Sequence, residues 1–332
     1  MRIPVAVLGA TGMVGQRLVQ SLRNHPWFSV GELCASERSA GKRYGDACTW
    51  RLEGEEPTEL FDQVVRPCSP DFEGTAALSA LPGAQATEVE PAFAAAGFGV
   101  VSNASAFRMD PRVPLVIPEV NPGSLSLLDA QPWPGFILTN PNCCAIPVAM
   151  ALAPLHARWP VQAACLSTWQ AVSGAGYPGE SAWDMVGNVH PHPGNEEEKL
   201  TEEPQKLLGA DFSTSARCVR VPVADGHLVG IQVRLAGDPS AEECEEAIRA
   251  FQPACPELPS SPKPLFHVLG QRDRPQPRLD AGRGQGMAVT IGRVEACPVM
   301  GVKLYALAHN TFRGAAGAAI LNLELLRATG RL

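Results

Sequence analysis

No stretch of eighteen or more apolar residues occurs in this chain, so no segment is long enough to cross a bilayer as a helix. A basic excess is also missing. Lys and Arg number 27 against 34 Asp and Glu, and the formal net charge is -7. Nucleic-acid and membrane-surface partners select a basic patch, so neither is expected. A small local cluster of Arg and Lys that holds an anionic substrate stays compatible with this balance. The ten cysteines show no C-x-x-C spacing, which removes the sequence signs of a zinc site and of a disulfide framework, and no other metal-ligand cluster is visible. The opening MRIPVAVLGATG lacks the charged start, long apolar core and small-residue cleavage site of a signal peptide. The expectation is therefore a cytoplasmic chain with free thiols, most of them small buried hydrophobes. Internal repeats and low-complexity linkers are absent too. What remains is a globular composition, 45% apolar and 18% charged, over 332 residues, a length that usually forms two cores.

The first part alternates short β-like runs with helical patterns. Ile3–Gly9, Phe28–Ser36, Ala77–Leu81, Gly99–Ser102 and Phe136–Thr139 read as buried strands. Met13–Asn24 and Ala86–Ala96 read as helices between them. Such alternation predicts a parallel sheet with helices on its faces. After about residue 145 the pattern changes to longer β-like runs at Val161–Val172, Cys218–Val223, His227–Leu235, Met287–Val294 and Val302–Ala308. Asp225-Gly226 between two of them is a strong hairpin signal, and the whole predicts a mostly antiparallel sheet. Ser240 and Glu243 have capping-box spacing at a helix start. Gly314–Leu326 reads as a final helix that packs back on the first part.

Six constellations carry chemistry. Gly9, Ala10, Thr11, Gly12, Met13, Val14 and Gly15 follow a strand and open a helix. Glycines there permit a tight turn and let a pyrophosphate approach amides at the helix N-terminus, although the spacing is G-x-x-G-x-x-G and a plain strand-to-helix turn also fits. The second strand runs into Ser36, Glu37, Arg38 and Ser39, whose hydroxyls and guanidinium suit a 2′-phosphate and so favour NADP; Glu37 is the group that a free ribose hydroxyl prefers. Thr139 to Cys144 end a β-like run at a helix start, where positive potential favours a thiolate at Cys143. Two buried cysteines would look the same. Successive positions at a helix start point about a hundred degrees apart, so the two sulfurs are not expected to face the same carbonyl. Gln170, followed by Ser173, Gly174 and Gly176, offers backbone for a flat ring to lie against. Arg220 and His227 flank the hairpin signal and could line one pocket. Glu196 and Lys199 share a helix face at i, i+3, and Arg108 follows a strand end where it could hold an anion.

Taken together, GATGMVGQR, ASERSAGK, SNASAFRMDP, VPLVIPEVNP, NPNC, QAVSGAGYPG, NEEEK, RVPVADGH and HNTFRGAAGAAILN occur in order and nearly from end to end. The set resembles the aspartate-semialdehyde dehydrogenase family, in its archaeal and fungal branch. The resemblance implies a Rossmann-type nucleotide domain over residues 1–145, completed by the C-terminal helix at 312–332. It also implies an α+β catalytic and dimerisation domain over 146–311, in a homodimer or homotetramer. It implies Cys143 as nucleophile, His227 as acid–base and Gln170 as an orienting group. Arg220 would bind the substrate α-carboxylate and Glu196 its α-amino group, with Asn142 beside them, while Arg108 and Lys199 would hold phosphate. Ser36, Arg38 and Ser39 would hold the 2′-phosphate of NADP. One departure stands out: the residue after the nucleophile is usually Ser in this branch and is Cys144 here.

The implied reaction is the reversible NADPH-dependent conversion of L-aspartyl-β-phosphate to L-aspartate-β-semialdehyde through a cysteine thioester, in biosynthesis of lysine, threonine and methionine. Cysteine suits it as both strong nucleophile and competent leaving group. N-acetyl-γ-glutamyl-phosphate reductase shares the plan but usually has Gly where Asn142 stands. Malonyl-CoA reductase is a relative that an assay with malonyl-CoA separates. A silent NADP-binding sensor is opposed by the joint presence of Cys143, Gln170, Arg220 and His227.

Overall fold

The computed structural model describes residues 2–332. Strands β1 (Ile3–Leu8), β2 (Phe28–Ala35), β3 (Arg66–Pro67), β4 (Ala76–Ser79), β5 (Gly99–Ser102) and β6 (Phe136–Thr139) form one sheet in the order β3-β2-β1-β4-β5-β6. Every pairing in it is parallel. Alternate residues feed opposite faces. Val5, Val7, Leu78 and Val101 pack under the helices Met13–Leu22 and Gly317–Ala328. Ala6, Leu8, Ala77 and Val100 pack with Phe93 and Ala94 of the helix Gly83–Ala95. Burial on both faces explains why these strands read as continuous apolar runs. The final helix does return to the first sheet, as its sequence suggested.

The second sheet contains β7 (Val161–Gln170), β8 (Ser213–Arg220), β9 (His227–Leu235), β10 (Phe266–Leu269), β11 (Val289–Cys297) and β12 (Gly301–Ala308). Its order is β10-β11-β12-β9-β7-β8. The three inner pairings are antiparallel and the two outer ones parallel, so the sheet is mixed but mostly antiparallel. One face is covered by the helices Ala145–His156 and Ala241–Arg249. The first of these is buried from Ala145 through Leu155, as an all-apolar helix must be. The second starts with the expected capping box of Ser240 and Glu243. The other face is open, and along β7 buried and exposed residues alternate.

The hairpin expected at Asp225-Gly226 is not formed. β7 lies between β8 and β9, parallel to the first and antiparallel to the second. Gly226 does turn, with φ of 97°, but residues 221–226 step over the exit of β7. Val221 N–H donates to Gln170 O at 2.9 Å and Val172 N–H to Val223 O at 2.8 Å. A two-residue turn signal reports the bend, while the strand that fills the space beside it comes from sixty residues upstream. β10 was not anticipated, being four residues in a proline-rich stretch. Among the described residues no helix is long and apolar enough to cross a membrane.

Candidate active site

Cys143 sits between the end of β6 and the helix Ala145–His156, partly accessible, while Cys144 is fully buried. Both sulfurs and a ring nitrogen of His227 lie within 4.8 Å of one another. The two thiols are thus neighbours that differ in access. They precede the first regular helical turn, in a bend held by the Cys144 N–H donating to Asn142 Oδ1 at 2.9 Å. The Cys144 thiol as a hydrogen-bond partner holds Cys143 well below the usual thiol range, reinforced by His227 and against the effect of burial. Burial pushes Cys144 well above that range, and its bond to Cys143 adds to this.

His227 is fully buried at the start of β9. Its Nδ1 accepts the Ala171 N–H at 3.0 Å. An accepting Nδ1 puts the neutral ring's proton on Nε2, and Nε2 is buried without a hydrogen-bond partner. The ring thus presents a donor to Cys143. The same tautomer is wrong for a metal, because a ligating histidine normally donates its other N–H, whereas here Nδ1 accepts.

The substrate-side residues form one hydrogen-bonded chain around Cys143. Arg108 Nη1 donates to Glu203 Oε1 at 3.0 Å, and Glu203 Oε2 accepts the Asn142 N–H at 2.6 Å. The Asn142 amide donates to Glu196 Oε2 at 3.0 Å, and Lys199 Nζ donates to Glu196 Oε1 at 2.7 Å. Gln170 Nε2 reaches Glu196 at 3.5 Å, while its Oε1 accepts Arg220 Nη1 at 3.0 Å. Arg220 also donates to Ala171 O at 3.1 Å, the residue whose N–H orients His227. Burial works to raise the Glu196 carboxyl, but Lys199 and Asn142 outweigh it and hold it below the usual range. For Glu203 burial prevails and the carboxyl lies above that range, despite Arg108 and the Asn142 N–H. Arg108 and Arg220 each keep a buried Nε with no hydrogen-bond partner, that of Arg220 standing 3.8 Å from Glu180 Oε1; an anion can take the first and must compete with Glu180 for the second.

Two contributors were not foreseen. Glu203 lies in TEEPQ, where a glutamate in a charged helix reads as solvated, yet it is 2% exposed. A Cβ on Gly314 would come 2.7 Å from the Cβ of Cys143. Gly174, expected as part of a ring platform, also makes room for the site: a Cβ there would meet Arg220 Nη1 at 2.8 Å and His227 Nε2 at 2.9 Å. Its neighbour Ser173 is likewise engaged, donating to Asp225 at 2.8 Å and accepting from Asn310 at 2.7 Å. Gly176 faces open space.

The glycine turn has the form a pyrophosphate requires. Gly9 has φ of 83°, and a Cβ on Gly15 would run into Gly9 O. Gly12 caps the Met13–Leu22 helix, which leaves the first amides, from Met13, Val14 and Gly15, at an N-terminus that favours anions. Thr11 lies in the turn itself, partly exposed. Gly9 and Ala10 N–H groups donate to Cys34 O at 2.8 and 2.9 Å, bringing the end of β2 beside the turn. There Ser36, Glu37 and Arg38 are exposed and Ser39 is half-buried. The turn Phe312–Ala316 ties this side to Cys143: Arg17 stacks over Phe312 at 4.4 Å, and Gly314 packs on Cys143.

Two family models match the chain. "Semialdehyde dehydrogenase, NAD binding domain" covers residues 4–128, and "Semialdehyde dehydrogenase, dimerisation domain" covers 152–313. An aspartate-semialdehyde dehydrogenase of Archaeoglobus fulgidus is 46% identical over 340 residues, spanning 98% of each chain. The structure of aspartate semialdehyde dehydrogenase with NADP from Candida albicans superimposes with a TM-score of 0.92 at 37% identity, covering 100% of both chains. That of aspartate semialdehyde dehydrogenase II complexed with ASA from Vibrio cholerae gives 0.82 at 26% identity, covering 99% of both.

Proposed function

The chain belongs to the aspartate-semialdehyde dehydrogenase family and has that family's activity in aspartate-derived amino-acid biosynthesis, and from this premise we propose which residues, which cofactor and which assembly carry it. The observation that supports the assignment best is the continuous chain from Arg108 to Arg220 that surrounds one low-pKa thiol.

The Cys143 thiolate attacks the acyl carbon of β-aspartyl phosphate, and the bond to the phosphate oxygen breaks. Arg108 and Lys199 offset the charge of the departing phosphate. Arg220 receives the α-carboxylate at its Nε edge, where the substrate displaces the Glu180 carboxylate that stands 3.8 Å away, and Glu196, kept ionised, receives the α-ammonium. Bound NADPH supplies the hydride that reduces the Cys143 thioester. His227 Nε2–H donates to the developing oxyanion and, as the C–S bond breaks, to the returning thiolate. Gln170 holds Arg220 and Glu196 at the separation the substrate spans. The Met13, Val14 and Gly15 amides would take the pyrophosphate, and Ser36, Arg38 and Ser39 the 2′-phosphate. The nucleotide unit comprises residues 1–145 with 312–332, the catalytic and dimerisation unit 146–311, in a cytoplasmic enzyme.

The open face of the second sheet is the surface for self-association into a homodimer or homotetramer. Trp169 and Tyr305 pair on it at 6.0 Å between ring centroids, beside Ser167 and Gln232. Sedimentation of the purified protein tests the assembly. Aspartate semialdehyde, phosphate and NADP⁺ incubated with the protein should yield NADPH in a phosphate-dependent reaction. NADPH formation that ignores phosphate would overturn the mechanism.

A further inference from the structure

We propose that Cys144 is a built-in resolving thiol: when peroxide oxidises Cys143, Cys144 closes a disulfide with it and spares the nucleophile from irreversible oxidation. The geometry supplies the encounter, since the two sulfurs and His227 lie within 4.8 Å of one another. The exposures divide the labour. Cys143 is partly accessible and meets the oxidant, while Cys144, at 0% exposure, is reached only from inside the protein. The rival thiol nearby is Cys218, also buried, and no external thiol need enter to resolve Cys143.

The chemistry balances. Cys143–S⁻ displaces hydroxide from hydrogen peroxide, and with one proton the products are Cys143–SOH and water. Cys144–SH then attacks the Cys143 sulfur. The S–O bond breaks, an S–S bond forms, and the thiol proton leaves with the hydroxyl as water. Two sulfurs are oxidised by one peroxide.

Adjacent Cα atoms stand about 3.8 Å apart, below the usual disulfide span, so the intervening peptide must turn for the ring to close. The carbonyl half of that peptide has no helical partner, while its N–H must give up the bond to Asn142 Oδ1. The carbonyls of Asn142 and Cys144 accept from Ile146 and Val148 at 3.1 and 3.5 Å. The Cys143 carbonyl between them would need the amide of residue 147, which is Pro147 and has none. A disulfide closed under strain is readily reduced, as a reversible cap on an active-site thiol should be.

The proposal rests on Cys143 being the reactive thiol, so that premise is tested apart. Limiting iodoacetamide on the reduced protein should alkylate Cys143; alkylation of Cys144 instead would sink the mechanistic reading itself. Reduced protein is then treated with equimolar hydrogen peroxide and mapped by mass spectrometry, with activity followed before and after dithiothreitol. We expect activity to be lost, the peptide bearing both cysteines to lose two hydrogens, and most activity to return on reduction. Cys144→Ser keeps a hydroxyl that can donate to Cys143 in place of the thiol, and its recovery is scored against its own activity before peroxide. With peroxide in excess, the variant should accumulate Cys143 sulfinic acid, and its activity should not return. Equal recovery of wild type and Cys144→Ser would overturn the proposal. A disulfide from Cys143 to the nearby buried Cys218, or a Cys143 sulfenic acid that persists in the wild type and traps with dimedone, would overturn it equally.

Discussion

Around Cys143 the side chains are already joined to one another: Arg108, Glu203, Asn142, Glu196, Gln170 and Arg220 lie in one buried hydrogen-bonded chain. At the end of β2, on the cofactor side, Ser36, Glu37 and Arg38 stand exposed beside the glycine turn. The two ends meet their ligands differently. The inner end holds its charges in fixed positions before substrate arrives, the condition for electrostatic catalysis. The outer end leaves the ligand to order it. Changes at the inner end should therefore spread to neighbours and be non-additive. Changes at the outer end should be smaller, local and sensitive to salt.

The largest effect tests whether the inner end converges on one atom. Cys143→Ser should reduce turnover to below about a thousandth of wild type, because a serine hydroxyl is scarcely ionised and leaves poorly. Cys144→Ser should keep most activity. Alkylation of Cys143 should persist as pH falls through the range where ordinary thiols reprotonate, because its lowered pKa keeps the thiolate at lower pH. An adduct of trapped substrate on Cys144, found by mass spectrometry, would reverse the assignment.

Next is Glu203, which joins Arg108, the proposed phosphate ligand, to the Asn142 backbone beside Cys143. Glu203→Gln leaves Arg108 a buried charge without its counter-ion, so about 3 kcal/mol of stability should be lost, with a raised KM for phosphate. Thermal unfolding and phosphate titration measure both. An unchanged melting temperature with unchanged phosphate dependence would show that the inner chain is less coupled than its geometry suggests.

Sequence alone reached most of this inner end and missed its hinge points for identifiable reasons. Cys143 stands out locally by its helix start, whereas Glu196, Lys199, Gln170 and Arg220 sit in contexts with an ordinary reading and are reached through the family resemblance of the motifs that contain them. Glu203 is reached in neither way, because one more glutamate in a charged helix looks solvated until Arg108, ninety-five residues away, is placed against it. Gly314 looks like an ordinary small residue in a helix until it meets Cys143. The first sheet was legible because apolar runs and turns alternate locally. The insertion of β7 between β8 and β9 was not, since a turn encodes a bend and says nothing of a strand arriving from elsewhere.

Arg220→Lys comes third. Arg220 spends Nη1 on Gln170 and Ala171 and leaves Nε without a hydrogen bond, 3.8 Å from the Glu180 carboxylate. A lysine ammonium cannot serve both the internal contacts and a carboxylate with that planar fork. Roughly 2 kcal/mol or more of kcat/KM should be lost while the circular dichroism spectrum stays unchanged. Near-normal activity would make Arg220 a structural residue and break the inner end into independent parts.

The smallest effect belongs to the outer end and sharpens the contrast. Ser36, Arg38 and Ser39 lie where β2 ends beside the glycine turn, Arg38 exposed and free to move toward a ligand. A charge-assisted contact from Arg38 to a 2′-phosphate contributes on the order of 1.5–3 kcal/mol, so kcat/KM should favour NADP over NAD by more than about tenfold. Because the contact forms in solvent, added salt should erode the preference. Arg38→Ala should remove most of it through a higher KM for NADP, leaving kcat and the reaction with NAD nearly unchanged. Glu37 opposes this outcome, since a carboxylate there can accept from a free ribose hydroxyl and repel the phosphate. Equal kcat/KM with the two cofactors would show that Glu37, not Arg38, governs the loop. A fall in kcat in Arg38→Ala would mean that the outer end is coupled to the chain around Cys143 after all.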